Sequence, residues 1–370
     1  MGMRAAVYLL LFFRGLKGGI HTSIDWKEQN RKDKISAVMV DPHNLDSTRG
    51  ELENLILSGS SISYSYDSDT RVTAKLKTYG SNYIPGSWIR IIHSVGDEYQ
   101  NELGTFILQN DPSHTLENNQ MIYEYTLQSV LWGLSNDLTS THFSIGEGAY
   151  SLAVFDKICS ICEKTGQHNP GARNYRYNNS KIYPIGDSFL SFLFDVCDSS
   201  NNRLDVDGHG RITIGPYTPP SEISASWEED SSSKDTLLIA DSIEYSSSSE
   251  NIPGRTIVVY TNGDTEISAT ATLPASSPYS PEQRGYTIAK TYQVNDLKDP
   301  TKSQLNQMAQ NYLNEIQLVN EINPSFLYFP CKCGEIINLA IDHIKKKWLF
   351  YSIDLDLETM HINTTLKEVQ

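Results

Sequence analysis

The chain has 370 residues, which is enough for two or three domains that each bury their own core. Its 45 acidic and 30 basic residues give a formal charge of −15, and such a surface repels nucleic-acid phosphates, which argues against sequence-specific binding to DNA or RNA. The 21 tyrosines favour strands, and five cysteines, an odd number, do not indicate a disulfide framework. We expect a mainly β, multidomain protein that folds under reducing conditions.

The N-terminus carries a short apolar run, Ala5–Phe13, directly after Arg4. Signal sequences share this pattern, but Arg14 and Lys17 follow at once and no small-residue cleavage pattern is present. A membrane-spanning helix needs about 20 apolar residues, so we expect no stable membrane insertion. The run predicts a buried first strand, with processing of residues 1–20 as the alternative.

Strict alternation of polar and apolar residues marks the next part of the chain. It is typical of antiparallel strands with one solvated face. The predicted single strands are Ile35–Val40, Ile62–Tyr66, Val72–Lys77 and Tyr123–Gln128. The segment Gly86–Gln109 is predicted to form a strand pair. Residues 1–145 are therefore predicted to form a small antiparallel barrel or sandwich.

The period changes to that of a helix near Gly146. One helix is predicted to begin at Ser151 as its N-cap, and a second is predicted to be capped by Asp187 or Ser188. The turn Asp207–Gly210 then joins two short strands. Residues 146–217 are predicted to form a compact α+β insert.

Prolines, the acidic run Glu228–Asp230 and three serines predict an exposed connection and a domain boundary after the insert. Beyond it, Ile257–Tyr260 and Ile267–Leu273 flank Asn262–Asp264 and predict a β-hairpin. We assign residues 218–290 to this linker and hairpin domain.

Residues 291–370 begin with a helix that opens at Asp299–Thr301. The segment Gly334–Leu357 then repeats the pattern of the Gly86–Gln109 strand pair, which predicts a second, similar barrel module that packs with parts of residues 218–290. Along its last strand, Asp354, Asp356 and Glu358 form a row that is expected to face solvent.

Two groups of residues have the composition of metal sites, but a structural role without a metal is the simpler interpretation of each. The pairs Cys159/Cys162 and Cys331/Cys333 offer four thiolates for zinc, yet the first pair lies on the apolar face of a predicted helix and is expected to be buried. The pattern Asp205-x-Asp207-Gly208 resembles the start of a calcium loop but lacks the closing Glu, so a hairpin turn is predicted.

The histidines do not have metal-ligand spacing and are predicted to be single surface residues: His93, His168, His209 and His343. The sequence also lacks a nucleophile elbow, a phosphate-binding loop and a zinc-protease motif. We therefore predict no catalytic, cofactor-binding or metal-binding residues, and no enzymatic activity.

The order of elements resembles that of the tail hub proteins of long-tailed bacteriophages and related contractile injection systems. Four segments carry the resemblance: Asp69–Leu76, Gly86–Leu108, Tyr150–Ile214 and Cys333–Leu366. The resemblance implies a homotrimer whose six barrels form a ring, joining the six-fold tail tube to a three-fold tip and letting DNA pass. It implies a place in the virion tail after assembly in the host cytoplasm, with the distal tail or tube protein, the tape measure protein and tip or fibre proteins as partners.

Two other classes remain as alternatives. A carbohydrate-binding or adhesive β-protein would use its tyrosines and tryptophans as an exposed stacking row. A hydrolase would need two close carboxylates in a pocket, and the sequence places none. The chain stops soon after the second module, so we expect no receptor-binding or wall-degrading extension.

Overall fold

The computed structural model describes residues 24–28, 31–96, 99–177, 180–239, 243, 245–247, 252–262, 265–294, 300–316 and 320–369. The predicted strand at Ala5–Phe13 lies outside the described residues. The described part of the chain contains 24 strands and five α-helices, most strands belonging to one large sheet. The prediction of a mainly β protein is confirmed.

The first strand set consists of eight strands whose ladder pairs are all antiparallel. They are β1 (Asp33–Asp41), β2 (Asn44–Glu51), β3 (Leu55–Ser65), β4 (Val72–Tyr79), β5 (Trp88–Val95), β6 (Tyr99–Leu108), β7 (Ser113–Glu117) and β8 (Gln120–Ser129). Their order in the sheet is β2-β1-β5-β6-β8-β4-β3, and β7 pairs with the first half of β8, on the edge opposite to β4. The predicted strand pair is confirmed as the β5–β6 hairpin.

The insert follows the first strand set and mixes helices with short strands. It comprises α1 (Val130–Asn136), β9 (Phe143–Ile145), α2 (Ser151–Ile161), β10 (Gly166–His168), β11 (Lys181–Tyr183), α3 (Phe189–Ser200), β12 (Asn202–Val206) and β13 (Ile212–Pro216). Both predicted helices are present, and the Ser188 hydroxyl caps α3 by accepting from the Ser191 N–H at 3.2 Å. Ser151 was wrongly predicted as a cap: it is the first residue of α2, and its hydroxyl accepts from the Tyr175 N–H of a neighbouring segment.

The rest of the chain forms two structures that alternate along the sequence. Its elements are a 3-10 turn (Pro220–Glu222), β14 (Ala225–Asp230), β15 (Leu238–Ile239), β16 (Tyr245–Ser247), β17 (Arg255–Asn262), β18 (Thr265–Thr272), α4 (Pro281–Arg284), β19 (Ala289–Gln293), α5 (Lys302–Ile316), β20 (Asn320–Ile322), β21 (Ser325–Leu327), β22 (Ile336–Ile341), β23 (Ile344–Asp356) and β24 (His361–Glu368).

One of these structures is a three-stranded sheet covered by a helix. The hairpin β17–β18 confirms the prediction, although Gly263 and Asp264 of its turn lie outside the described residues, and β19 adds a parallel strand. Helix α5 begins with a reciprocal cap in which the Gln304 N–H donates to the Thr301 hydroxyl and the Thr301 N–H donates to the Gln304 side-chain oxygen. Its apolar stripe packs on β17 and β18.

The other structure is the second strand set, formed by β14–β16 and β20–β24. Here the acidic segment is strand β14, which pairs in parallel with β22, and not a connection, although Glu228 and Asp230 are exposed as predicted. Glu229 of β14 is buried and accepts hydrogen bonds from the Thr236 hydroxyl and the Leu237 N–H. Because the Glu229 carboxylate has these two donors and Lys27 at 3.4 Å, its burial costs little free energy. The amino-acid composition alone does not reveal these contacts.

The main hydrophobic core lies between the two strand sets and contains side chains from both. Ile89, Ile91 and Phe106 of the first set belong to the same cluster as Ile337 and Phe350 of the second. A separate core fills the insert. The two strand sets therefore stabilise one another by burying a common apolar surface.

Candidate assembly surfaces

The two strand sets are joined edge to edge by backbone hydrogen bonds. Strand β23 of the second set pairs in antiparallel register with β3 of the first, from Ser352 opposite Ser65 to Asp356 opposite Ser61. Ile62 and Leu355, directly opposite one another in this ladder, are both fully buried. The sheet is thus continuous across the join, and the ladder fixes the relative position of the two sets.

The two predicted hairpins use equivalent positions for their buried side chains. In the first, Ile89 lies opposite Phe106, and in the second, Ile337 lies opposite Trp348. All four side chains are buried in the common core. Large apolar cross-strand pairs of this kind stabilise a hairpin and fix its register.

A second contact between the strand sets is built around Arg31, which precedes β1. Its guanidinium lies 2.9 Å from the Asp33 carboxylate and donates to the backbone oxygens of Trp26 and Tyr328. Tyr328 belongs to the second strand set, whereas Trp26 and Asp33 belong to the start of the first. The planar guanidinium of Arg31, with its five N–H donors, therefore connects the two strand sets.

His93 completes this contact, and its prediction as a surface residue is wrong. Its ring is fully buried, lies 4.7 Å from the Tyr328 ring and donates through Nε2 to Asp33 at 2.6 Å. Burial by itself raises the pKa of Asp33, but the hydrogen bonds from His93 and Arg31 lower that pKa overall. The carboxylate is thus held ionised between its two donors.

The insert docks on the first hairpin through the turn Asp207–Gly210. The buried Arg90 of β5 donates to the His209 backbone oxygen at 3.0 Å and contacts Glu102 at 3.2 Å, while the Thr105 hydroxyl donates to the Gly208 oxygen. A Cβ at Gly208 would overlap with the backbone oxygen of Glu102, so this position requires glycine. The predicted hairpin turn is confirmed, and its role is to hold the insert on the sheet.

The His209 side chain lies between two carboxylates and is only partly exposed. Its Nδ1 is 3.0 Å from Glu102 and its Nε2 is 3.0 Å from Asp46. Like His93, it makes specific contacts between segments distant in sequence. A cleft of about 730 Å³ opens beside this turn, between the insert and the two strand sets.

The cysteines do not form a metal site in the described part of the chain. Cys159 and Cys162 are buried in the core of the insert, as predicted, and burial raises the pKa of each thiol to about 12. Burial also raises the pKa of Cys333 to about 12. Such thiols stay protonated and pack as small apolar groups. Among the described residues, no group of three or more His, Cys, Asp or Glu side chains is arranged to hold a metal ion.

Asp354 and Asp356 of the predicted acidic row lie on β23 of the second strand set, whereas Glu358 lies in the turn that follows this strand. Asp354 and Glu358 are exposed and Asp356 is half-buried, whereas the alternate residues Leu355 and Leu357 are buried. The row thus adds negative charge to a solvated sheet face.

No helix in the part that the structure describes is long and apolar enough to cross a membrane.

Two exposed apolar features offer surfaces to other proteins. At the tip of the β7–β8 hairpin, Leu116 is 66% exposed and lies opposite Met121. On the insert, four branched side chains are each about half exposed: Leu138, Ile161, Ile182 and Ile185. Exposed apolar side chains at a protruding hairpin and on one domain are typical of surfaces that become buried on assembly.

No protein-family model matches the sequence, and a comparison with curated proteins gives no match. Solved structures do show the same fold. The chain is similar to a tail protein from Neisseria meningitidis, with 11% identity, a TM-score of 0.64, and coverage of 91% of this chain and 96% of that one. It is also similar to the 43 kDa tail protein of prophage MuSo2 from Shewanella oneidensis, with 10% identity, a TM-score of 0.62, and coverage of 90% and 98%.

A third similar structure is the prophage tail protein gp18 from Listeria monocytogenes, with 10% identity, a TM-score of 0.55, and coverage of 90% of this chain and 94% of that one. Each match extends over nearly the whole of both chains. The resemblance to phage tail proteins predicted from the sequence is therefore confirmed as a similarity of fold.

Proposed function

We propose that this chain is a structural hub protein of a phage-type tail tip or baseplate. Each subunit contributes its two strand sets as two similar barrel-like units, and three subunits form a ring of six. The ring joins the tail tube to the tip, lies in the virion tail, and leaves an axial opening for DNA. The protein acts by assembly and has no catalytic role.

The observation that carries this proposal is the fold shared over about nine-tenths of the chain with three tail proteins, two of them from prophages. The join between β3 and β23 supports it, because two similar units held side by side in one subunit allow a trimer to match a six-fold partner. The acidic charge of −15 supports DNA passage, since a wall of like charge does not retain a polyanion.

The distribution of aromatic side chains favours this proposal over a carbohydrate-binding protein. Trp26, Trp88 and Trp348 are buried. In the described residues, the most exposed tyrosines lie on separate elements and form no row: Tyr79, Tyr150, Tyr245 and Tyr286. A stacking platform for a sugar needs neighbouring exposed rings.

The oligomeric state tests the proposal. We expect the purified chain to form a particle of about 125 kDa, three times its mass of 41.6 kDa, when measured by light scattering over a range of concentrations. Substitution of Leu116→Glu at the β7–β8 tip, with the exposed Tyr286→Glu as a control, shows whether the hairpin takes part. A stable monomer at every concentration would refute the trimer.

A further inference from the structure

Three cationic side chains converge on a small cavity between the strand sets, the insert and α5. The cavity has a volume of about 290 Å³. Arg71 follows β3, Arg203 lies on β12 of the insert and Lys367 lies on β24. Thus the two strand sets and the insert each supply one cation, whereas α5 supplies none.

Two neighbouring tyrosines position these cations. The Arg203 guanidinium lies over the Tyr66 ring at 3.8 Å, and the Lys367 ammonium lies over the Tyr351 ring at 3.3 Å. The two ring centroids are 6.0 Å apart. Arg71 and Arg203 both donate to the backbone oxygen of Tyr66, so the two guanidinium groups are held together despite their like charge.

These cations differ from the buried cations elsewhere in the fold. Arg31, Arg90 and Lys181 each have a carboxylate at 2.9–3.2 Å. Arg71, Arg203 and Lys367 have no carboxylate this close among the described residues, although Asp205 and Asp69 attract Arg71 at longer range, and Glu321 and Asp67 attract Lys367. Asp67, which also lines the cavity, accepts hydrogen bonds from the Tyr351 and Ser65 hydroxyls.

The backbone of Arg71 adds an independent observation. Its φ is 62°, in the left-handed region that non-glycine residues rarely adopt and that costs about 1 kcal/mol or more. Glycine or asparagine would fit this turn with less strain. An arginine here places a guanidinium at the cavity, where loss of water is the main cause lowering its pKa and repulsion from Arg203 is the second.

We propose that this cavity binds an oxyanion group, a carboxylate or a phosphate, through Arg71, Arg203 and Lys367. Planar guanidinium groups match the paired oxygens of both groups, and the ammonium adds a third donor. A bound oxyanion balances the like charges that Tyr66 holds together. The cavity volume fits a free phosphate ion or a single acidic side chain of a neighbouring protein. The proposal does not depend on the hub function.

The test is calorimetric titration of the full chain with inorganic phosphate and, separately, with N-acetyl-glutamate amide, at constant ionic strength. We expect saturable binding of at least one probe. Lys367→Gln and Arg203→Gln should each weaken it by tenfold or more. The control Lys345→Gln, which removes an exposed lysine already paired with Glu228, should leave it unchanged.

The two probes separate the possible sources of the anion. Binding of phosphate alone identifies a free phosphate or phosphate ester, and binding of the glutamate derivative identifies an acidic protein segment. Lys367→Gln removes no hydrogen bond described for the fold and so keeps the test valid if Arg203→Gln fails to fold. Failure of both probes to bind, or equal affinity in the wild type and in Lys367→Gln, would overturn the proposal.

Discussion

The two hairpins β5–β6 and β22–β23 are alike on one face and different on the other. On the inner face, Ile89–Phe106 and Ile337–Trp348 occupy equivalent positions in one core. At the next position outward, Arg90 holds the turn of the insert, whereas Asn338 donates to Glu228 of β14. The buried pattern is retained where the two units share a core, and the outward residues differ because each hairpin supports a different neighbour.

The strands that pair with the outer edges of the two hairpins also differ. Strand β1 runs antiparallel to β5, whereas β14 runs parallel to β22. A parallel neighbour requires a crossover connection, and the long chain between β14 and β22 provides it. The two strand sets are therefore similar in the buried faces of their hairpins and different in the strands that flank these hairpins.

The largest expected effect tests whether the two hairpins depend on one core. Phe106→Ala and Trp348→Ala each remove a large buried side chain and should each lower the free energy of unfolding by about 3–5 kcal/mol. Because the core is common, hydrogen exchange should accelerate in both hairpins in either variant. Ile344→Ala, at the exposed start of β23, is the control. Acceleration confined to the mutated hairpin would show two independent cores.

The docking of the insert on the first hairpin is the next target. Gly208→Ala places a methyl group against the backbone oxygen of Glu102 and should cost about 1–3 kcal/mol, with faster proteolysis within the insert, because the turn must move away from β6. Gly146→Ala, which has open space at its Cβ, should behave as the wild type. Equal stability of the two variants in thermal unfolding would contradict the described contact.

The contact between Arg31, Asp33 and His93 predicts a pH dependence. Asp33→Asn should reduce stability at pH 7 by about 1–3 kcal/mol, because it removes charge-assisted hydrogen bonds. The pKa of Asp33 is lowered on folding, so its contribution is complete above the ordinary value of 3.8 and is lost as the pH falls below it. Denaturant unfolding between pH 7 and pH 3 should show the variant and wild type converging, whereas the exposed Asp235→Asn should show no difference at pH 7.

The smallest effect is expected at the exposed edge of the second hairpin. Lys345 and Glu228 form an ion pair in which both side chains are more than half exposed. Lys345→Gln should change stability by less than about 1 kcal/mol, and the change should vanish in 0.5 M salt. A larger loss in denaturant titrations would show that the β14–β22 edge depends on this pair.

Much of the fold follows from local patterns in the sequence. Alternation predicted β3, β4 and β8, and the apolar stripe that follows the opening at Asp299–Thr301 predicted α5. Strand β14 was missed because its acidic residues resemble a solvated linker, and the strand with which it pairs, β22, is distant in sequence.

The contacts at the candidate assembly surfaces were harder to predict from the sequence. His93 was assigned to the surface because one histidine carries no local signal for its distant partners Asp33 and Tyr328. The convergence of Arg71, Arg203 and Lys367 on one cavity also depends on tertiary placement. The turn Asp207–Gly210 did carry a usable signal, because its glycine-rich sequence indicates a close approach of two backbones.

Electron cryomicroscopy of the purified assembly is the decisive experiment for the proposed ring. We expect a three-fold ring in which both strand sets of every subunit surround one axial opening, with the β5–β6 and β22–β23 hairpins superimposing after rotation of about 60°. A single subunit without an axial opening, or a ring in which only one strand set of each subunit faces the axis, would contradict it.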